Sequence, residues 1–223
     1  MLVAAFLFDM DGVLLDSRRV VERTWRRWGE RHGIPVEPIL RIAHGRRTRD
    51  TLRATVPHLA TDEEVDWLDA TELADLDIQP IPGARELVAS LPPNRWTVVT
   101  SAGRELARLR LGAVGIELPA HAVTSEDITN GKPSPEGYLL GAHRLGFAAK
   151  ECLVVEDTHP GLAAGQAAGA KLLGVTTTHV AGQLGAADYL VSNLLPVRAT
   201  MDENRKLLQV SLLPDNRAQE ESL

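Results

Sequence analysis

The stretch FDMDGVLLDS, Phe8 to Ser17, closes an apolar run and sets two carboxylates two residues apart. The run before it, Val3 to Phe8, is short and continuous, which predicts a strand buried on both faces of a parallel sheet rather than an amphipathic helix. Asp9 and Asp11 then stand at the tip of that strand. If the backbone stays extended, the period of two points both side chains to one side, and Gly12 lets the chain turn away beyond them. Two like charges about 4 Å apart repel by roughly 4 kcal/mol at an effective dielectric of about 20, so a cation, or a proton on one carboxyl, is expected there.

Working outward, four further apolar runs read as strands that end in polar or small residues. They are RWTVV before Thr100 and Ser101, ECLVV before Glu156 and Asp157, AKLLGV before Thr176, and DYLV before Ser192 and Asn193. Helical patterns at 83–91, 103–112, 134–146 and 160–169 lie among them. Alternation of this kind predicts an α/β fold, a Rossmann-like doubly wound parallel sheet, whose ligands bind beyond the carboxyl ends of the strands. Residues 17–81 break the alternation. Ser17 is placed as an N-cap, Val21, Trp25 and Trp28 form an i, i+4, i+7 stripe, and Gly33 ends that helix. Helices are also predicted at 38–43, 48–54 and 62–75. The expected organisation is a Rossmann-like core of 1–16 and 82–213, an inserted all-helical cap domain of 17–81, and a disordered tail of 214–223. The run KLLQVSLL is expected to be a short edge strand.

With 223 residues, of which 44% are hydrophobic, the chain can bury a substantial core. A net charge of −6 disfavours nucleic acid or an anionic membrane as a partner. The lack of an apolar run of about 18 residues, and of a basic leader with a cleavable apolar segment, predicts a cytoplasmic protein. Cys152 is the lone cysteine and is expected to be a buried structural thiol. A monomer or weak dimer is expected.

Taken singly, the polar strand tips have plain readings: a turn-forming Asp, a capping Thr, a solvated Lys. Together they have a chemical logic. A carboxylate that attacks a phosphate dianion needs Mg²⁺ between the charges and cationic or hydroxyl donors around the phosphoryl oxygens. Asp9 and Asp157, with a backbone carbonyl from the 9–11 segment, offer the oxygen ligands Mg²⁺ prefers. Lys132, in the loop GKPSPEGY, can act on the phosphate and on Asp9. Thr100 offers a hydroxyl, and the amides of Ser101 and Ala102 precede a helix. Asp11 is then free to move the proton.

The order FDMDGVLLDS, VVTS, GKPSPEGY, VVEDTHPGL resembles the four motifs of the haloacid dehalogenase superfamily, specifically its phosphatases with an inserted helical cap. The resemblance spans nearly the whole chain. It implies a Rossmann-like core, Mg²⁺ and an aspartyl-phosphate intermediate, with Asp9 as nucleophile, Asp11 as acid/base, and Thr100 and Lys132 on the phosphate. Asp9, Asp11, Glu156 and Asp157 make up the implied metal site. Asp11 is absent from the dehalogenases proper and from the phosphonate-cleaving branch, so its presence argues for phosphate esters. The β-phosphoglucomutase branch carries a cap histidine where this chain has Val21, which favours hydrolysis over phosphomutase activity. WTVVTSAGRELA and AHGRRTRDTL are similar to the glycerol-phosphate and 2-deoxyglucose-6-phosphate phosphatases. The expected function is Mg²⁺-dependent hydrolysis of small phosphorylated sugars or polyols. The alternatives are a sugar phosphomutase and a non-catalytic phosphate-binding regulator. In the family the loop holding His44, Gly45, Arg46, Arg47 and Thr48 faces the active site, so these residues are expected to bind substrate. One or more of the arginines would read hydroxyls or a second anionic group.

Overall fold

A computed structural model of the chain describes residues 1–213, so the tail predicted at 214–223 lies outside the described residues. The expected Val3–Phe8 strand is two strands, β1 (Leu2–Val3) and β2 (Phe6–Phe8). Ala4 and Ala5 hand the chain from one sheet to another: Ala4 N–H donates to Glu151 O, and Ala5 O accepts from Leu153 N–H. After β2 come β3 (Leu15–Asp16), the helices α1 (Arg18–His32), α2 (Glu37–Ala43), α3 (Thr48–Thr55) and α4 (Asp62–Leu73), and β4 (Gln79–Pro80). The remainder is α5 (Ala84–Ser90), β5 (Trp96–Val98), α6 (Arg104–Ala113), α7 (Glu136–Arg144), β6 (Leu153–Glu156), α8 (His159–Ala167), β7 (Lys171–Val175), β8 (Tyr189–Val191), β9 (Val197–Asp202) and β10 (Leu207–Leu212).

Strands β5, β2, β6, β7 and β8 form a parallel sheet in that order. Alternation along β2 divides the core. Phe6 and Phe8 join the layer containing Leu87, Val98, Ala107 and Leu111, under α5 and α6, whereas Leu7 joins Val99, Val154, Tyr138 and Leu162, under α7 and α8. Each such side chain contributes about 1.5–3 kcal/mol on burial. With helices on both faces, this is the expected Rossmann-like arrangement. Phe8 aligns with Val98 on one side and Val155 on the other, so Asp9, Thr100 and Glu156 emerge at one edge of the sheet.

The expected edge strand at the C-terminal end is instead the middle strand of a three-stranded antiparallel sheet, β1-β10-β9. Its partner β9, VRATMD, has the buried and exposed alternation of a half-buried strand, but it is short and has few large apolar residues.

Helices α1–α4 lie between β3 and β4, which pair with each other antiparallel. They have a separate core of Trp25, Trp28, Ile39, Ala43, Leu52 and Leu68, with the two indoles edge to face at 5.7 Å. Gly33, at φ 66°, ends α1 in the left-handed conformation. Ser17 does not cap α1 through its side chain. Its hydroxyl donates instead to Asp11 Oδ1 at 2.5 Å.

Candidate active site

The turn after β2 is shaped by Gly12, whose φ of +83° favours glycine and whose missing Cβ would stand 2.0 Å from Asp157 Oδ2. The close approach brings the end of β2 onto the end of β6. Carboxylate oxygens of Asp9, Glu156 and Asp157, all buried, lie within 4.8 Å of one another. Lys132 reaches in from the loop before α7 and donates to Asp9 and to Glu156 Oε1, the latter at 2.5 Å. Glu156 also accepts from the Tyr138 hydroxyl (3.0 Å), the Thr158 hydroxyl (2.9 Å) and the amides of Asp157 and Thr158 (both 2.9 Å). Gly161 leaves room for it: a Cβ there would meet Glu156 Oε1 at 1.7 Å.

Three carboxylates against one ammonium leave excess negative charge in a dry site. Burial pushes the Asp9 carboxyl up to about 8 despite Lys132, and pushes Asp157 well above the usual range, with Glu156 and Asp9 adding to it. Burial acts on Glu156 in the same direction, but Lys132 and the Thr158 donors outweigh it and hold that carboxyl low. The Lys132 ammonium loses hydration on burial, yet Asp9 and Glu156 raise its affinity for the proton above the ordinary value. Thr178 donates its hydroxyl to Asp157 Oδ2, while Asp157 Oδ1 is buried with no partner. An all-oxygen donor set with an unpartnered oxygen and uncompensated charge fits a hard divalent cation.

Asp11 does not join this group through its side chain. Its Oδ1 accepts from Ser17 and, at 2.9 Å, from Arg110 Nη1. Arg110 is itself buried, and its other terminal nitrogen donates to Glu72 at 2.9 Å. Thr100 is buried and its hydroxyl accepts from Ala102 N–H at 3.1 Å, so the hydroxyl is engaged in shaping the turn.

A cavity of about 260 Å³ runs from Asp9 and Asp11, past Ser101 and Ala102, to the inserted helices. His44, Gly45, Arg46, Arg47 and Thr48 line it together with Val21 and Trp25. Loss of hydration lowers the proton affinity of the His44 ring more than the neighbouring Asp11 raises it. Gly45 at φ +75° touches both sides of the cleft: its carbonyl accepts from Ser101 Oγ at 2.9 Å, and a Cβ would meet Thr158 at 2.8 Å. The arginines differ in their freedom. Arg47 is held by Asp50 (2.6 Å) and by Thr129 O (3.0 Å), Arg49 by Asp62 (2.5 Å), and Arg46 makes no side-chain hydrogen bond or ion pair among the described residues.

Sequence reasoning overlooked Arg110, Glu72 and the Thr178 hydroxyl. Two of these leave a signal. Arg110 falls on the buried stripe of α6 with Leu106, Ala107 and Leu111, and Glu64, Leu68 and Glu72 form the buried face of α4 at intervals of four. A charge on an apolar stripe requires a buried partner. His159 opens α8 on the exposed side and stays clear of the cavity. Burial raises the Cys152 thiol to about 12, as befits a structural thiol.

The model of the haloacid dehalogenase-like hydrolases matches residues 3–169, a span containing every residue of the carboxylate and lysine group. The chain belongs to this family. Hexitol phosphatase A of Escherichia coli (strain K12) is 36% identical to it over 207 residues, covering 89% of the chain and 95% of the relative. Glycerol-1-phosphate phosphohydrolase 2 of Saccharomyces cerevisiae is 35% identical, covering 79% and 76%. Among solved structures, a hydrolase from Pseudomonas syringae superposes with a TM-score of 0.75 at 26% identity, covering 86% and 94%. This haloacid dehalogenase-like chain is a phosphoric monoester hydrolase. No helix among the described residues is long and apolar enough to cross a membrane.

Proposed function

We propose that the protein is a Mg²⁺-dependent phosphatase of small phosphorylated sugars and polyols that works through a phospho-Asp9 intermediate. The observation that carries this reading is the cluster of Asp9, Glu156 and Asp157 with Lys132, of which Asp9 lines a cavity sized for a small ester. The hexitol and glycerol-1-phosphate enzymes among its relatives support the substrate class.

Asp9, Glu156 and Asp157, with a backbone carbonyl of the 9–11 segment on the Asp11 side, would hold Mg²⁺. Bound there, the ion offsets the charge between the nucleophile and the phosphate dianion. Lys132 orients Asp9 and, with the cation, would favour its carboxylate form against the burial that pushes the carboxyl up. Asp9 attacks phosphorus, the ester P–O bond breaks, and Asp11 gives its proton to the departing alkoxide. Water then attacks the same phosphorus and passes a proton to Asp11. The bond to Asp9 breaks and inorganic phosphate leaves. The Ser101 amide would donate to the phosphoryl oxygens, with Thr100 and Lys132 behind it, and the Ala102 amide would join it by exchanging its bond to the Thr100 hydroxyl. Residues 17–81 act as a cap that excludes bulk water and selects the alcohol, through the loop His44, Gly45, Arg46, Arg47 and Thr48, over a core of 1–16 and 82–213. Val21, whose apolar side chain lines the cavity, has no proton to exchange with a sugar, which favours hydrolysis over a mutase.

The test is phosphate release from a panel of glycerol phosphates, hexose and 2-deoxyhexose 6-phosphates and phosphoglycolate, with and without Mg²⁺ and with Asp9→Asn as the blank. Release that needs both Mg²⁺ and Asp9 is the expected result. Equal release from Asp9→Asn would overturn the mechanism.

A further inference from the structure

The part of the cavity lined by α3, α4 and α6 differs in chemistry from the arginine loop. Asp69, on α4, lines it, and one of its oxygens accepts from the Thr48 hydroxyl at 3.1 Å. The second oxygen makes no hydrogen bond within the described protein. Thr51, one turn beyond Thr48 on α3, also lines the cavity, and its hydroxyl is buried with no partner. Buried hydroxyls are nearly always satisfied, so an unpartnered one lining the same cavity as a half-paired carboxylate points to a ligand that completes both. Glu72 and Arg110 also line this part. The terminal nitrogens of Arg110 are occupied by Asp11 and Glu72, and Arg49 donates to Asp62, so although both cations act on the Asp69 charge, neither donates a hydrogen bond to its second oxygen. Burial raises the Asp69 carboxyl above its usual range, as expected of a carboxylate short of donors.

We propose that Asp69 and Thr51 form a hydroxyl-reading subsite, which accepts an uncharged polyhydroxy alcohol and rejects a substrate carrying a second anionic group at the end remote from its phosphate. The substrate's hydroxyl donates to the free oxygen of Asp69, and the Thr51 hydroxyl pairs with a neighbouring one. A carboxylate or phosphate at the same place would lie against Asp69 and has no proton to donate to its free oxygen, so the contact is repulsive and leaves that oxygen unpaired. This inference rests on the phosphatase reading and deepens it: the second group that the cap reads is a hydroxyl rather than an anion.

The test uses sorbitol 6-phosphate and 6-phosphogluconate, which differ only in a terminal CH₂OH against a carboxylate, and phenyl phosphate as a hydroxyl-free ester. The wild-type enzyme is expected to favour the hexitol ester over the aldonate by kcat/KM at least about tenfold, and Asp69→Asn to shrink that ratio by about tenfold or more. Thr51→Val, an isosteric change, is expected to lower kcat/KM for sorbitol 6-phosphate relative to phenyl phosphate by about fivefold, with no fall in Tm, because the hydroxyl it removes has no partner in the protein. A wild-type ratio near one, or an Asp69→Asn variant that slows all three esters alike, would overturn the subsite while leaving the phosphatase intact. Failure of wild-type protein to release phosphate from any of the three with Mg²⁺ would overturn the phosphatase reading and the subsite with it.

Discussion

Glu156, which shares Lys132 with Asp9, and Asp69, which lines the same cavity as Asp9, are acidic groups held in opposite ways. Glu156 accepts from a lysine, a tyrosine, a threonine hydroxyl and two amides, in a place where even a Cβ on Gly161 would not fit. Asp69 accepts one bond from Thr48. At the core end the protein has completed the network around Glu156 itself and left Asp157 Oδ1 open, an atom suited to a cation rather than to the alcohol of a substrate. At the cap end it has left hydrogen-bonding capacity open. Chemistry that is the same for every ester is built into fixed strand ends, and selection among alcohols is left to groups that only a ligand completes.

The largest test of this contrast is at the fixed end. Asp9→Asn is expected to reduce kcat by about 10³-fold or more while the far-ultraviolet circular dichroism spectrum stays native, because the sheet does not depend on the charge. Arg110→Met tests the boundary between the two ends. It strands Asp11 and the buried Glu72 without their cation and is expected to cost about 3–5 kcal/mol in urea unfolding, and pairing it with Glu72→Leu should return part of that loss. A smaller effect, about 1.4 kcal/mol for each pH unit, concerns the metal. Burial holds the Asp9 carboxyl at about 8, so below that pH an entering cation must displace a proton. Asp157 is raised as well, so Mg²⁺ affinity measured by calorimetry should rise about tenfold or more per pH unit towards 8. The smallest concerns Arg49, whose pairing with the exposed Asp62 should be worth less than about 0.5 kcal/mol, so Arg49→Met should leave urea stability almost unchanged.

The same contrast governs what could be read in the sequence. Asp9, Thr100 and Glu156 each follow an apolar run, and a parallel sheet aligns the ends of its strands, so local pattern places them on one edge. The contacts that organise the cap end join residues distant in sequence. Arg110 meets Asp11 across 99 positions and Glu72 across 38, and no local period encodes that pairing, although a charge on the buried stripe of α6 announces that some partner exists. The arginine loop misleads for a related reason. Arg46, Arg47 and Arg49 look equivalent in sequence, but Asp50, Asp62 and Thr129 O occupy two of them. Residue type places Ser17 at the N-terminus of α1, where it stands, but tertiary contact gives its hydroxyl to Asp11 instead of the helix amides. The C-terminal sheet was half legible, because the partner of β10 in β9 has a correct but weak alternation.

The pairing of Leu15 with Pro80 and Asp16 with Gln79 has a consequence for how such an enzyme can be rebuilt. Seen from the sheet, everything between Asp16 and Gln79 is one loop, entered and left at a single doorway. Because closure entropy grows only logarithmically with length, a shorter or longer module could be spliced across that doorway with little penalty to the strands beneath. The core would keep its own chemistry through the exchange. A transplanted module would have to bring one thing with it, a carboxylate in the place of Glu72, or the guanidinium of Arg110 would be left half answered in the seam.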